Sequence, residues 1–60
     1  MKKLCIVTGG SSGIGLSIVQ LFINNEYRVI NLDLVDGGHG EFHQCDVTNH
    51  QQLQNIIEQI

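Results

Sequence analysis

A glycine-rich segment near the amino terminus constrains the fold of this chain more than any other feature of its sequence. The apolar run Leu4–Val7 leads directly into Thr8–Gly15 (TGGSSGIG), which holds four glycines in eight residues. An apolar run without alternation is typical of a strand buried on both faces of a parallel sheet. The glycines predict a sharp turn after that strand.

The residues after the glycines change to a helical period. The polar residues Ser17, Gln20 and Asn24 recur three and four positions apart, as on one narrow stripe of a helix, and most other positions are apolar. A helix is therefore predicted over 14–24 and is expected to end within 24–26, since Asn tolerates the left-handed conformation that follows many helices. Its wide apolar surface is expected to pack on a sheet and against something further.

Two strands and a second helix are predicted in the rest of the chain. Arg28–Leu34 is rich in Val, Ile and Leu, and Glu41–Val47 alternates in the manner of an edge strand. Thr48 is expected to begin the last helix, because Gln51 completes a capping-box pattern three residues later. Apolar residues then follow at helical spacing and are expected to pack on the sheet, with a partner-binding surface as the alternative: Leu53, Ile56, Ile57 and Ile60.

The element order strand, helix, strand, strand, helix predicts an α/β fold, the N-terminal part of a Rossmann-like doubly wound parallel sheet with strand order 3-2-1. The connection 35–41 is short, because parallel crossovers usually take about a dozen residues or more. Extended, it reaches about 23 Å, whereas returning along a short strand needs roughly 16 Å. A parallel pairing through an open loop is expected, and an antiparallel hairpin is the alternative.

The strand, glycine-rich turn and helix together indicate where a dinucleotide pyrophosphate binds. Glycines let the backbone approach phosphate closely, and the amino end of a helix offers unpaired N–H groups with a partial positive charge. The spacing differs from G-x-G-x-x-G, and no G-K-[ST] ending is present, which excludes a P-loop for nucleoside triphosphates. For the glycines alone, a tight structural turn is the alternative.

Two carboxylates support this interpretation. Asp33 lies at the end of the second strand, 18 residues after Gly15, where it can accept hydrogen bonds from the adenosine ribose hydroxyls. It would also repel a 2′-phosphate, so NAD is favoured over NADP as the cofactor. Asp46 ends the third strand at the same carboxyl edge, where open α/β sheets bind ligands. Alone, each could instead stabilise a turn or cap the helix near Thr48.

The set of motifs resembles the short-chain dehydrogenase/reductase family. Thr8-Gly9-x-x-x-Gly13-x-Gly15 is similar to the family's cofactor motif, and Cys45–Thr48 (CDVT) is similar to its adenine-contacting segment. The resemblance covers essentially the whole chain. It implies that Asp33 contacts the adenosine ribose and that Asp46 and Val47 contact the adenine ring. It also implies that six residues of the turn surround the pyrophosphate and the adjoining ribose: Gly9, Ser11, Ser12, Gly13, Ile14 and Gly15.

The resemblance also implies an NAD-dependent oxidoreductase that interconverts alcohols and ketones by hydride transfer. Members that prefer NADP carry a basic residue at a position where this chain has Ser12 or Leu34, which agrees with NAD. The family commonly ends its first helix with Gly, at the place of Glu26 here. Asn25 is therefore expected to carry the positive φ angle.

The catalytic Ser, Tyr and Lys of that family come later in its chains. Tyr27 is followed four residues later by Asn31, not Lys. Residues 1–60 are therefore expected to form a partial nucleotide-binding domain with no catalytic residue and no turnover of its own. The small-molecule substrate would be bound only by the parent protein. A non-catalytic NAD-binding or regulatory module and a self-associating fragment are the alternatives. Association of the chain into homo-oligomers is expected.

Composition narrows the class of protein. Three basic residues against six acidic ones give a net charge of −3, which predicts no binding to nucleic acid or anionic membranes. Two cysteines are too few for a disulfide framework, so Cys5 and Cys45 are expected to be reduced, as in a cytoplasmic protein. No metal site is expected, because Cys45 and the three histidines lack zinc-ligand spacing.

Overall fold

A parallel sheet of three strands organises the computed structural model, which describes residues 2–60. The elements follow in the order β1 (Leu4–Thr8), α1 (Gly13–Asn24), β2 (Arg28–Asp33), β3 (Glu41–Gln44) and α2 (His50–Gln59). The central strand β2 pairs in parallel with both β1 and β3. The Rossmann-like α/β class and the parallel pairing are confirmed, and the hairpin alternative is wrong.

The connection between β2 and β3 crosses the sheet without a helix of its own. It runs over the glycine-rich turn, where the Ser11 hydroxyl donates a hydrogen bond to the Val35 carbonyl. Gly37 lies so close that a Cβ added to it would be 2.6 Å from Ser11 Cα. The Asp36 carboxylate accepts a hydrogen bond from Gly38 N at 2.8 Å and tightens the loop. The short crossover is therefore packed on the turn that the sequence singled out.

The core is divided between the two faces of β2. Alternation along a strand sends successive side chains to opposite faces. Val29 packs with Val7 and Val19 on the α1 side. On the other side Ile30, Leu32 and Cys45 form a second cluster, which α2 covers with Leu53, Ile56 and Ile60. Both helices thus use the central strand as their common support.

The predictions of burial for β1 and the helices are only partly confirmed. Leu4 and Ile6 are 47% and 42% exposed, so the expectation that this strand is buried on both faces is wrong. The reason is that β1 is an edge strand and the apolar face of α2 covers β2 and Cys45 instead. In α1 only Val19 is buried, and in α2 Ile57 is half exposed.

Helix α1 ends in a way that corrects one sequence expectation. Glu26, not Asn25, carries the positive φ angle, at 66°. Glu26 N donates to the Ile23 carbonyl at 3.0 Å and Tyr27 N donates to the Phe22 carbonyl at 3.0 Å. These two bonds form a Schellman motif, in which the residue after the C-cap takes the left-handed conformation. The Phe22 and Tyr27 rings pack edge to face at 4.8 Å and add the apolar contact that accompanies the motif.

The third strand and the second helix also have different bounds from those predicted. Strand β3 stops at Gln44, and the N-cap of α2 is Asn49 instead of Thr48. Thr48 is already bound to the Asp46 carboxylate through its N–H at 3.0 Å and its hydroxyl at 2.6 Å. Asn49 accepts a hydrogen bond from Gln52 N at 3.1 Å, so the capping interaction is displaced by one residue.

Three remaining observations concern the chain as a whole. Cys5 and Cys45 are free thiols that belong to the two different core clusters on opposite faces of the sheet. Between residues 2 and 60 no helix has the length and apolar character needed to cross a membrane. Within the same range, the His, Cys, Asp and Glu side chains do not gather into a group that could hold a metal ion.

Candidate functional site

The glycine-rich turn is held against the carboxyl end of β2 by three successive backbone N–H groups. Gly9 N donates to the Leu32 carbonyl at 2.9 Å. Gly10 N donates to Asn31 Oδ1 at 2.9 Å, and Ser11 N donates to Asp33 Oδ2 at 3.1 Å. The first half of the turn therefore has its donors satisfied by β2.

The second half of the turn leaves its donors free. The first hydrogen bond of α1 runs from Leu16 N to the Ser12 carbonyl at 3.3 Å. Within the described part of the chain, the N–H groups of residues 12–15 have no hydrogen-bond acceptor. The first turn of α1 also carries no acidic side chain that would compete for them. Free N–H groups at a helix amino terminus, with the positive end of the helix dipole, bind phosphate groups.

The close approach of α1 to β1 at this point depends on Gly15. A Cβ added to Gly15 would overlap the Gly9 carbonyl oxygen and lie 2.8 Å from the Gly9 carbonyl carbon. Because no side chain fits between the helix and the end of β1, the free N–H groups lie directly beyond the strand. Residues 12–15 therefore form a backbone cradle of free N–H groups, with no side chain at Gly13 and Gly15.

Asp33 stands next to this cradle as an ionised carboxylate. Its two oxygens accept hydrogen bonds from Leu34 N at 2.7 Å and Ser11 N at 3.1 Å. Hydrogen bonds from these two N–H groups, that of Leu34 first, hold the pKa of Asp33 below its ordinary value. Since each carboxylate oxygen can accept more than one hydrogen bond, Asp33 can still accept from a ligand hydroxyl.

Asp46 makes local contacts that favour a structural role. Its Oδ1 accepts both hydrogen bonds from Thr48, and its N–H donates to Gln52 Oε1 at 3.1 Å. The Thr48 hydroxyl, followed by the Thr48 N–H, lowers the pKa of Asp46. The carboxylate therefore stabilises the turn before α2, while its second oxygen has no partner among residues 2–60.

A groove of about 360 Å³ joins these elements at the carboxyl edge of the sheet. Its walls come from the end of β1, from Leu32–Leu34, and from Cys45–Thr48. A larger groove of about 600 Å³ lies around the amino ends of the strands, near Lys2 and Tyr27. The larger groove contains neither glycine-rich turn nor helix amino terminus, so the smaller one is the better candidate site.

The structure brings most of the predicted site residues to one place. Gly9, Asp33, Asp46 and Val47 line the groove at the carboxyl edge, and the others follow it along the turn into α1: Ser11, Ser12, Gly13, Ile14 and Gly15. The side chain of Ile14 is 82% exposed, so in this arrangement Ile14 offers its backbone N–H.

Sequence reasoning missed Asn31, which contacts both Gly10 and Ser11. The available signal was a single uncharged polar residue inside the apolar run of β2. Its position, two residues before Asp33, places both side chains on the same face of the strand.

Three carboxylates with lowered pKa values predict how the stability of the fold depends on pH. Arg28 binds Glu41 through Nε–Oε2 at 2.7 Å and Nη2–Oε1 at 3.0 Å. Hydrogen bonds from Arg28 lower the pKa of Glu41, as those from Leu34 N and Ser11 N lower the pKa of Asp33 and those from the Thr48 hydroxyl and N–H lower the pKa of Asp46. The unfolded chain therefore binds more protons in acid. Stability is fully present above the ordinary carboxylate pKa of about 4 and falls as the pH drops through the lower folded-state values. Urea unfolding, followed by circular dichroism between pH 7 and pH 2, measures this.

The Arg28–Glu41 pair supplies matched variants for that titration. Glu41→Gln and Arg28→Gln are both expected to flatten the loss of stability in acid, and the double variant is expected to flatten it no further. An Arg28→Gln protein that loses stability in acid as steeply as the unaltered protein would contradict the assignment of this pair.

The sequence of this chain matches known proteins over nearly its whole length. The model of the NAD dependent epimerase/dehydratase family matches residues 5–60. Short-chain dehydrogenase reductase 3a of Arabidopsis thaliana is 33% identical, with 93% of this chain and 26% of the relative covered. (+)-Borneol dehydrogenase 1 of Salvia officinalis is 35% identical, with 93% of this chain and 25% of the relative covered.

A solved structure agrees with these sequence matches. The ligand-free aldohexose dehydrogenase of Thermoplasma acidophilum superposes with a TM-score of 0.94 and 39% identity, over 98% of this chain and 24% of that one. The chain thus spans about a quarter of the length of the relatives it matches. Proteins of this family bind a nicotinamide dinucleotide, NAD or NADP. The chain belongs to the NAD dependent epimerase/dehydratase family and, with its relatives, to the short-chain dehydrogenases/reductases.

Proposed function

We propose that this chain binds the adenosine half of NAD in an oxidoreductase that interconverts alcohols and ketones. The observation that carries the proposal is the row of free N–H groups at residues 12–15, next to the carboxylate of Asp33. The N–H groups can hold a pyrophosphate and the Asp33 carboxylate can hold a ribose, and both lie at the carboxyl edge of the sheet. The cofactor would supply hydride transfer; everything this chain contributes is binding and orientation.

The residues present fit such a cofactor on three counts. The turn has no side chain at Gly9, Gly13 and Gly15 that would block a pyrophosphate. The groove at the carboxyl edge offers Asp46 and Val47 as a partly exposed wall for the adenine ring. No basic side chain lines this groove, so nothing there would neutralise a phosphate on the ribose.

The choice of NAD over NADP is attributed to Asp33. An ionised carboxylate accepts hydrogen bonds from ribose hydroxyls and repels a 2′-phosphate of the same sign. The lowered pKa of Asp33 keeps the carboxylate charged throughout the neutral range. Ser12 and Leu34 are uncharged, although NADP-preferring members of the family typically carry a basic residue at one of these two positions.

Replacement of Asp33 by asparagine tests this proposal. The variant keeps the shape of the side chain and removes its charge, so we expect the affinity for NAD to fall by about tenfold or more, the scale of one charge-assisted hydrogen bond. The affinity for NADP is expected to rise. Isothermal titration calorimetry with each dinucleotide measures both changes.

Asp36→Asn is the matched control for that experiment. Asp36 lies in the nearby crossover, where its carboxylate accepts a hydrogen bond from Gly38 N. Replacing it with asparagine changes the net charge by the same amount as Asp33→Asn. The ratio of NAD to NADP affinity is expected to stay unchanged in Asp36→Asn. An equal ratio in Asp33→Asn and the unaltered protein, or no binding of either dinucleotide, would refute the proposal.

The chain alone is expected to bind without turnover. Its one tyrosine, Tyr27, lies at the opposite end of the sheet from the groove, near Lys2 and Arg28. No reduction of NAD is therefore expected when the 60-residue protein is mixed with a panel of alcohols and absorbance at 340 nm is followed.

A further inference from the structure

Asn31 is the one polar side chain that is fully buried among residues 2–60. It lies in the middle of β2, opposite Val7 on β1 and Phe42 on β3. Burying an amide costs free energy unless its oxygen and its nitrogen are both hydrogen-bonded. The hydrogen-bond partners of this amide therefore indicate the structural role of Asn31.

Both ends of the Asn31 amide contact the glycine-rich turn. Oδ1 accepts a hydrogen bond from Gly10 N at 2.9 Å, and Nδ2 donates to Ser11 Oγ at 2.9 Å. The Ser11 hydroxyl in turn donates to the Val35 carbonyl in the crossover. One buried side chain thus connects the central strand, the turn and the crossover.

The fit between Gly10 and Asn31 leaves no spare volume. A Cβ added to Gly10 would lie 2.5 Å from Asn31 Oδ1 and 2.7 Å from Val19 Cγ2. The length of the side chain at position 31 therefore determines how closely the turn approaches the sheet. The free N–H groups begin only two residues later, at Ser12, so a displaced Gly10 carries them with it.

We propose that Asn31 is a positioning residue of the dinucleotide site. It holds Gly10 and Ser11 so that the N–H groups of residues 12–15 keep the arrangement that receives a pyrophosphate. This inference rests on the proposed function. Because Asn31 is completely buried, it acts on affinity through the turn and not by contact with the ligand.

The test replaces Asn31 with leucine, which has the same number and branching of side-chain heavy atoms but no hydrogen-bonding group, and with alanine, which is smaller, in case the bulkier leucine does not fold. Val29→Ala is the matched control, because Val29 is buried on the same face of β2 and packs with Val7 and Val19. NAD binding is measured by calorimetry at a temperature where each variant is folded. Both Asn31 variants are expected to bind NAD about tenfold to a hundredfold more weakly, as for a buried donor left unpaired.

Two outcomes of the binding measurement separate positioning from general destabilisation. Val29→Ala is expected to keep its NAD affinity within about twofold, since the Val29 side chain makes no hydrogen bond to the turn and contacts it only through Val19. An Asn31 variant that binds NAD as tightly as the unaltered protein would overturn the inference and leave the proposed function standing. An unaltered protein that binds neither NAD nor NADP would overturn both.

Amide hydrogen exchange tests the same contact without any ligand. In the unaltered protein the Gly10 amide is expected to be protected, although it lies outside the strands and helices, because its acceptor is buried. Exchange of this amide at the rate of an exposed loop would overturn the inference. In Asn31→Leu or Asn31→Ala the protection is expected to disappear, and in Val29→Ala it is expected to remain.

Discussion

Replacement of Gly15 by alanine is expected to abolish dinucleotide binding. On helix propensity alone this change would stabilise α1 by about 1 kcal/mol. In the structure, however, the added Cβ would overlap the Gly9 carbonyl oxygen, and the obstacle is backbone that cannot rotate away. The helix must move outward from β1, and its free N–H groups must move with it. A hydrogen bond to a charged phosphate contributes about 1.5–3 kcal/mol. Because several of these N–H groups would be displaced together, we expect NAD affinity to fall by about a hundredfold or more.

Stability provides an independent measure of the same overlap. Forcing one extra carbon into a filled space costs about 1–3 kcal/mol, which exceeds the gain in propensity. Gly38→Ala is the matched control: its φ of 82° makes alanine strained, but a Cβ there meets nothing within 4 Å. Strain of this kind costs about 1–2 kcal/mol. The two variants are therefore similar in stability and are expected to differ in binding, since Gly38 lies outside the site. Undiminished NAD binding by Gly15→Ala would show that the cradle is not where the pyrophosphate binds.

The glycine-rich turn was accessible to sequence reasoning because its chemistry lies in the backbone. Glycine spacing and the position of the next helix predict free N–H groups without knowledge of any side-chain contact. Asn31 was not accessible in the same way, because its role depends on the Ser11 and Gly10 positions that only the packed turn determines. For Asp46 the sequence allowed either a ligand contact or a turn contact. The bonds to Thr48 show that the turn contact is made.

The fold was predictable to the extent that it follows from local pattern. Apolar runs and their periods located all five elements, and the reach of the crossover allowed the parallel pairing that the structure confirms. The errors arose where competing local bonds decide the outcome. Thr48 is a suitable N-cap residue, but its N–H and hydroxyl are hydrogen-bonded to Asp46. Asn49 is therefore the N-cap of α2. Glu26 is a poor residue for positive φ, yet the Schellman bonds and the Phe22–Tyr27 contact place it there.

Burial was the least predictable property, because it depends on which face each helix covers. The apolar side chains of β1 and β2 are alike in sequence, but those of β2 are covered on both faces and those of β1 on one. Strand β2, which is covered on both faces, therefore carries a large share of the stability of this small chain.

Ile30→Ala is accordingly expected to unfold the protein or nearly so. Ile30 is fully buried between Leu32, Cys45 and the apolar face of α2, and truncating such a residue costs about 2–5 kcal/mol. At about 0.05–0.15 kcal/mol per residue, a chain of this length has a total stability of only about 3–9 kcal/mol. The melting transition by circular dichroism is expected to move far down or to vanish.

Ile57→Ala removes the same atoms from a half-exposed position. It shows whether the loss of stability in Ile30→Ala is caused by burial of the side chain or by shortening any isoleucine of the chain. Ile57 is 50% exposed on α2, so little apolar area leaves the core, and alanine favours the helix by a few tenths of a kcal/mol. Its melting temperature is expected to change little or to rise. If both variants lost stability equally, the second cluster would not be the core that supports α2, because a core position and a half-exposed one cannot cost the same when burial is the cause.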